Sequence, residues 1–257
     1  MDDLRYIFNM PIEIDQIGVI HGFTMEEYAL PVNSLCLNVL SVTINLYLQQ
    51  IDIKEIETRA EIVEKIKCFD LICSQPELVE SLLLLLKISF KPKKLFFCPA
   101  FNKIILVFEE IKEKTETNRY CFITRDNYDF VRNQIIKVNN IRLTKQANNK
   151  ELQKWYDKSY KFKNSQNKNA GDMEDIITSV MAFTGYTPEE VKKLTVYQVN
   201  KIMARLYKVS EYDTSIQFIC VGAEKIKLEH WSSKIDEKDD ISSDFDVFAS
   251  SIQSIIK

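Results

Sequence analysis

Glycine and proline are scarce, five and six in 257 residues, which disfavours turn-dense all-β architectures. Histidine is scarcer still. His21 and His230 are the whole supply, and neither has a neighbouring metal-ligand or nucleophile pattern. The six cysteines (Cys36, Cys68, Cys73, Cys98, Cys121 and Cys220) form no C-x-x-C pair, and they read as free, buried thiols of a reducing compartment. A phosphate-cradling glycine loop, H-E-x-x-H and G-x-S-x-G are all missing. No catalytic residue, cofactor or metal ligand is therefore assigned, and the chain is read as not an enzyme. The opening residues, MDDLRYIF, lack the basic and apolar regions of a signal peptide, so the expected location is the cytoplasm.

Net charge is also low: 34 basic and 37 acidic residues leave −3, too little to attract a nucleic acid or an anionic membrane globally. Any such binding has to come from a local patch. A charge-free run does extend from Tyr28 to Ile51, long enough to span a bilayer. Pro31, Asn33, Asn38, Asn45, Gln49 and Gln50 nevertheless put polar groups on every face of a helix drawn there. It reads as a core helix, and no membrane association is expected.

What is present is a hydrophobic fraction of 46%, ample for a core, in segments of changing period. Residues 4–20 read as a small β-hairpin turning at Asp15-Gln16. Thr24 to Glu27 is a capping box, and helices are expected over 25–30, 33–50, 55–72 and 76–90, the last opened by Pro76. "KLFFC", "KIILVFEE" and "RYCFIT" predict strands at 94–98, 103–109 and 119–124, with Pro99 to Asn102 as a turn. Thr124 is read as the cap of a helix over 125–138 with Tyr128, Val131, Ile135 and Val138 on one face.

From Lys137 to Lys168 nine basic residues face two acidic ones, interleaved with Trp155, Tyr156, Tyr160 and Phe162. Helical periodicity resumes with Met173, Ile176, Ile177, Val180 and Met181, ending at Gly185. Two capping boxes follow eight residues apart, Thr187 with Glu190 and Thr195 with Gln198. The second opens a helix with Val196, Val199, Ile202, Met203 and Leu206 on its apolar face and Tyr197, Asn200, Lys201, Arg205 and Lys208 outside. Another helix is expected over 214–235 with a break at Gly222, carrying His230-Trp231 as a core anchor. The fold class is α+β: an N-terminal mixed domain (1–140) with a small antiparallel sheet and several helices, a basic linker (141–171), and an all-helical domain (172–235). An acidic spacer and C-terminal amphipathic helix (236–257) complete the chain.

Two surfaces stand out for binding. The tail stripe Phe245, Phe248, Ile252 and Ile255 is too short to be a stable helix alone, and Val199, Met203 and Leu206 are the groove it or a partner protein would share. The basic segment 137–168, with Lys154, Lys158, Lys161 and Lys163, is the candidate nucleic-acid contact, together with the helix pair 188–208 as a groove reader. The near-balanced charge of 172–235 argues against that second use, and nucleic acid is not the expected partner.

"FNMPIEIDQIGVIHGFTMEEY", "FITRDNYDFVRNQII", "MEDIITSVMAFTGYTPEEVKKLTVYQVNKIMARL" and "IKLEHWSSKI" together resemble phage proteins of low-GC Gram-positive hosts. In those, an F-x-x-P-I piece precedes an apolar strand and a Thr-Met-x-x-Tyr helix start. Residues 30–75 and the acidic tail have no counterpart in the resemblance. Such proteins are similar to tail-assembly proteins, including chaperones encoded near the tape-measure protein. The resemblance implies a non-enzymatic tail-morphogenesis role in the host cytoplasm, binding helical segments of a tape-measure or baseplate protein. The alternatives are a virion structural subunit of the tail or baseplate, and a nucleic-acid-binding regulator. Homo-oligomerisation is left open.

Overall fold

The computed structural model describes residues 2–45, 47, 61, 64–112, 115–141, 143, 151–158, 173–222, 226 and 228–235. The fold is α+β: small antiparallel sheets and helices in the N-terminal part, then a helical C-terminal region. The chain opens as a helix, α1 (Asp2–Ile7), where the expected hairpin would have begun. Asn9, at φ 49°, stops the helix, and Met10 N donates to Arg5 O. Pro11 follows, as is common just past a helix end. The hairpin itself is β1 (Ile12–Ile14) and β2 (Gly18–Ile20), with Ile14 opposite Gly18 and Gln16 in the left-handed region.

The expected capping box forms at α2 (Met25–Ala29): Glu27 N donates to Thr24 Oγ1 at 3.2 Å and Thr24 N to Glu27 Oε2 at 3.0 Å. The helix expected over 33–50 is not continuous. It resolves into α3 (Pro31–Cys36) and a 3₁₀ segment, Leu37–Ser41, which stops at an extended Val42. Ser41 Oγ and Cys36 Sγ donate to carbonyls three residues back, the interruption falls at Val42-Thr43, and helix resumes as expected at Ile44, with Tyr47 N donating to Thr43 O at 3.3 Å. The expected 55–72 helix falls largely outside the described residues. Its end is interrupted at Ile66-Lys67, because Asp70 Oδ2 accepts from Lys67 N at 2.9 Å and starts a new helix, α4 (Cys68–Cys73).

α5 (Pro76–Phe90) is the central helix of the N-terminal part. Val79, Leu82, Leu85, Leu86, Ser89 and Phe90 are buried on it, at spacings that place them on one side. It packs against α3, α4, β2 and β3. Strands β3 (Lys94–Cys98), β4 (Lys103–Lys112) and β5 (Thr115–Ile123) form an antiparallel meander, the last two longer than expected, and Pro99–Phe101 with Asn102 makes the first turn as read. The register places Leu95, Leu106 and Cys121 in one row, and Phe97, Ile104 and Ile123 in another, on the side facing the core. Phe96, Ile105 and Phe122 fall in a row on the opposite side, as do Lys94, Val107 and Tyr120.

α6 (Tyr128–Val138) starts later than expected. Thr124 is not the cap of this helix: its Oγ1 accepts from Asp126 N at 3.4 Å and its amide donates to Asn127 Oδ1 at 2.8 Å, so residues 124–127 form a turn before the helix. Its four anticipated face residues, Tyr128, Val131, Ile135 and Val138, are all buried. Residues 151–158 are helical. Then come α7 (Met173–Thr184), α8 (Pro188–Lys193) and α9 (Val196–Cys220). α9 runs on through residue 214, where a separate helix was expected to begin, since 25 residues pass without glycine or proline. It ends at Cys220, just ahead of Gly222 at φ 89°, where the break was expected, and the described residues 226 and 228–235 are not the helix that periodicity suggested. Among the described residues no helix is long and apolar enough to cross a membrane. The six cysteines are free; Cys36 and Cys121 are buried, but Cys220 is exposed, contrary to the reading of all six as interior.

Candidate functional site

The corner between α7 and α9 is built from the two capping boxes that the sequence announces. α7 ends at Gly185, φ 74°, whose amide donates to Met181 O at 2.9 Å; only glycine takes that backbone freely. Thr187 and Glu190 then bond reciprocally to open α8, and Thr195 and Gln198 do the same for α9. Between the boxes the backbone is extended at Leu194.

That extended piece is stitched to the N-terminal part. Met25 N donates to Leu194 O at 2.8 Å and Val196 N to Phe23 O at 2.9 Å, so Thr24 and Thr195, each a helix cap, lie paired across a two-residue antiparallel bridge. Gly22 permits the approach: a Cβ there would meet Thr195 Cγ2 at 3.2 Å. Buried Asn139, at the end of α6, completes the joint by accepting from Phe23 N at 2.7 Å and donating to Ile135 O at 2.9 Å. Gln198 Nε2 reaches Ile7 O at 2.6 Å.

α9 is consequently enclosed on more sides than its pattern implied. Val196 and Val199 are buried as expected, and Ile202 and Met203 pack against the core. Of the residues read as outside, however, Tyr197, Asn200 and Lys208 are buried. Tyr197 lies against Tyr6 of α1, ring centroids 5.3 Å apart. Residues 228–235 lie along the helix further on: Arg205 Nη1 donates to the Trp231 carbonyl and, at 2.9 Å, to Ser233 O, while Lys208 Nζ stands 3.5 Å from Glu229 Oε2. His230 packs edge-on to Tyr212 at 5.6 Å. Trp231 itself keeps 43% of its surface exposed and is no core anchor. The signal that was missed lies in long stems: Lys208 and Tyr197 bury an apolar body and keep one polar end satisfied.

Of the candidate partner-binding residues, Val199 is fully enclosed, Met203 and Leu206 are half-buried, and Phe245, Phe248, Ile252 and Ile255 lie outside the described residues. Lys154 and Lys158 are exposed on the 151–158 helix beside exposed Trp155, with Lys158 Nζ 5.6 Å from its ring centroid; Lys161 and Lys163 are outside the described residues. The far end of α9 is different in character. Phe218, Ile219 and Val221 are exposed around the C-terminal end of the helix, and Tyr207 is exposed near its middle.

Titratable groups outside this region carry structure. Lys91 Nζ pairs with Glu27 Oε1 at 2.8 Å. Burial opposes ionisation of Glu27, but the Lys91 contact and the Thr24 amide outweigh it and hold the carboxyl below its ordinary value. Burial, then the Lys91 charge, lowers His21, with Glu27 opposing. Burial pushes the Cys36 and Cys73 thiols up to about 12, which leaves no reactive thiolate there. Among the described residues no group of three or more His, Cys, Asp or Glu side chains is placed to hold a metal ion.

Residues 163–236 match a family model described as the YomV second domain. That span takes in α7, α8, α9 and the Trp231 segment. Over 115 residues the chain is 36% identical to the SPbeta prophage-derived uncharacterized protein YomV of Bacillus subtilis (strain 168). The alignment covers 44% of this chain and 47% of that protein, so the chain spans about half the length of the curated relative it matches. No solved structure matches.

Proposed function

We propose that this is a non-enzymatic phage protein that acts in tail morphogenesis by binding helical segments of a tape-measure or baseplate protein. The observation that carries the reading is the exposed apolar end of α9, Phe218, Ile219 and Val221, on a helix whose first half packs into the fold. It lies inside the span that matches the YomV second domain, and the relative at 36% identity is prophage-derived. Contiguous exposed apolar side chains on a firmly held helix suit docking of another helix. The enclosed corner supplies rigidity, and the binding end supplies the surface. The tail proteins are the occupants because the resemblance in "MEDIITSVMAFTGYTPEEVKKLTVYQVNKIMARL" points to assembly proteins that keep apolar helical segments in solution until the tube forms.

The test is co-expression of the chain with each tail protein of its phage, followed by co-elution in gel filtration. A soluble complex with the tape-measure or baseplate protein is expected, and it should be lost when Phe218 and Val221 are both changed to Asp. Co-elution that is indifferent to these changes counts against the site, and the absence of any such complex counts against the role. Recovery of the chain in purified virions in stoichiometric amount would favour a structural subunit instead.

A further inference from the structure

The outer side of the β3–β4–β5 sheet is the other surface with a defined chemistry. Phe96, half-buried Ile105 and Phe122 line up across three strands, and Tyr120 and Lys94 flank Val107, which is buried between them, in the adjoining row. Phe96, Tyr120 and Phe122 are exposed, and Phe101, in the turn between β3 and β4, is 72% exposed. The Lys103 ammonium sits 4.4 Å from the Phe122 ring centroid and 5.0 Å from that of Phe101. Lys94 is exposed at the end of the next row. Glu109, the carboxylate nearest these rows by register, is already paired with Lys93. Among the described residues, the face therefore presents flat rings and, in Lys94 and Lys103, cations that form no ion pair with a carboxylate.

We propose that this face binds single-stranded nucleic acid. Charge complementarity selects that occupant. Unpaired bases stack on exposed aromatic rings regardless of sequence, and lysines among the rings neutralise the phosphates between bases. Neighbouring strands are about 4.8 Å apart and alternate residues of a strand about 6.8 Å apart. Phe96, Phe122 and Tyr120 are thus spread over the distance of two to three splayed nucleotides. A protein partner would be expected to meet rings without lysine at their centre, since lysine is depleted from protein interface cores. The overall charge of −3 does not oppose this, because the positive patch is local. The site is independent of the apolar end of α9, so either can fail alone.

The experiment is fluorescence anisotropy of the full chain with a labelled oligo-dT of about twenty nucleotides at low salt, repeated with a duplex of equal length and at rising salt. Expected are binding of oligo-dT, weaker binding of duplex, and affinity that falls with salt. Phe96→Ala and Phe122→Ala should each weaken it by about tenfold, and Lys103→Gln should reduce both affinity and salt dependence. All three side chains lie at the surface, and unchanged circular dichroism and melting confirm that the variants fold. The proposal is overturned if oligo-dT does not bind at low salt. It is equally overturned if binding ignores these variants but vanishes on charge reversal of Lys154, Lys158, Lys161 and Lys163, which would place the contact on the basic segment. Protection of the Phe96 and Phe122 peptides from exchange by a purified tail protein, with no oligonucleotide binding, would make the face a protein site.

Discussion

Asn139 is 1% exposed, and its amide serves two backbone groups, Phe23 N and Ile135 O. Changing it to Ala leaves the buried Phe23 amide unpaired, while Ile135 O keeps the bond from the backbone amide of residue 139 at 3.2 Å, a loss of about 1–3 kcal/mol read in urea unfolding. Tyr128 is the converse case: its hydroxyl is buried without a hydrogen-bond partner among the described residues, against the Phe69 ring at 5.5 Å. Tyr128→Phe should therefore leave stability unchanged or raise it by about 1 kcal/mol; a clear loss would reveal a partner. His21 and Glu27 set the acid response. The lowered His21 value means that the unfolded chain takes up a proton more readily, so stability falls as pH drops below about 6.5. Glu27, also lowered, contributes stability above about 4.5 that is lost as pH falls through its folded value. The melting temperature should decline in two stages from pH 7 to pH 3, and His21→Asn should remove the first.

At the scale of elements, the boundaries that read directly from the sequence are those with a local chemical cause. Thr24, Thr187 and Thr195 each had a Glu or Gln three residues on, and all three capping boxes form. Pro76 and Gly185 mark real ends for the same reason, a backbone restriction carried by the residue itself. Boundaries set by distant or competing contacts did not read. Whether residues 33–45 continue as one helix was decided by side chains that bond their own backbone, and the outer face of α9 was covered by α1 and by residues 228–235, neighbours in space that periodicity does not report. The aromatic outer side of the sheet was also missed, because "KLFFC" and "RYCFIT" are apolar on both sides and alternation could not say which side was core. Cap energetics give a direct check: Thr195→Ala should cost about 1 kcal/mol or more, and exceed Thr187→Ala, because Thr195 is buried in the joint whereas Thr187 is exposed.

At the scale of the whole molecule, one hydrophobic cluster runs from Ile14 through α5, the sheet and α6 to Ile176, Val180, Val191, Val196 and Val199. The helical region is thereby anchored through its corner, and exposed apolar side chains lie at the end of α9. Leu85→Ala, at the centre of the cluster, should cost about 2–5 kcal/mol and lower partner binding only through loss of fold. A chain ending at Asp236 lacks Phe245, Phe248, Ile252 and Ile255; if that stripe is part of the contact, binding should weaken by about tenfold with melting unchanged. The most direct test of the account is co-elution of the chain with the tape-measure or baseplate protein of its phage, wild type against Phe218→Asp with Val221→Asp. The account predicts a soluble complex for the wild type and none for the doubly substituted, still folded chain. An equal complex with both, or with neither, would contradict it.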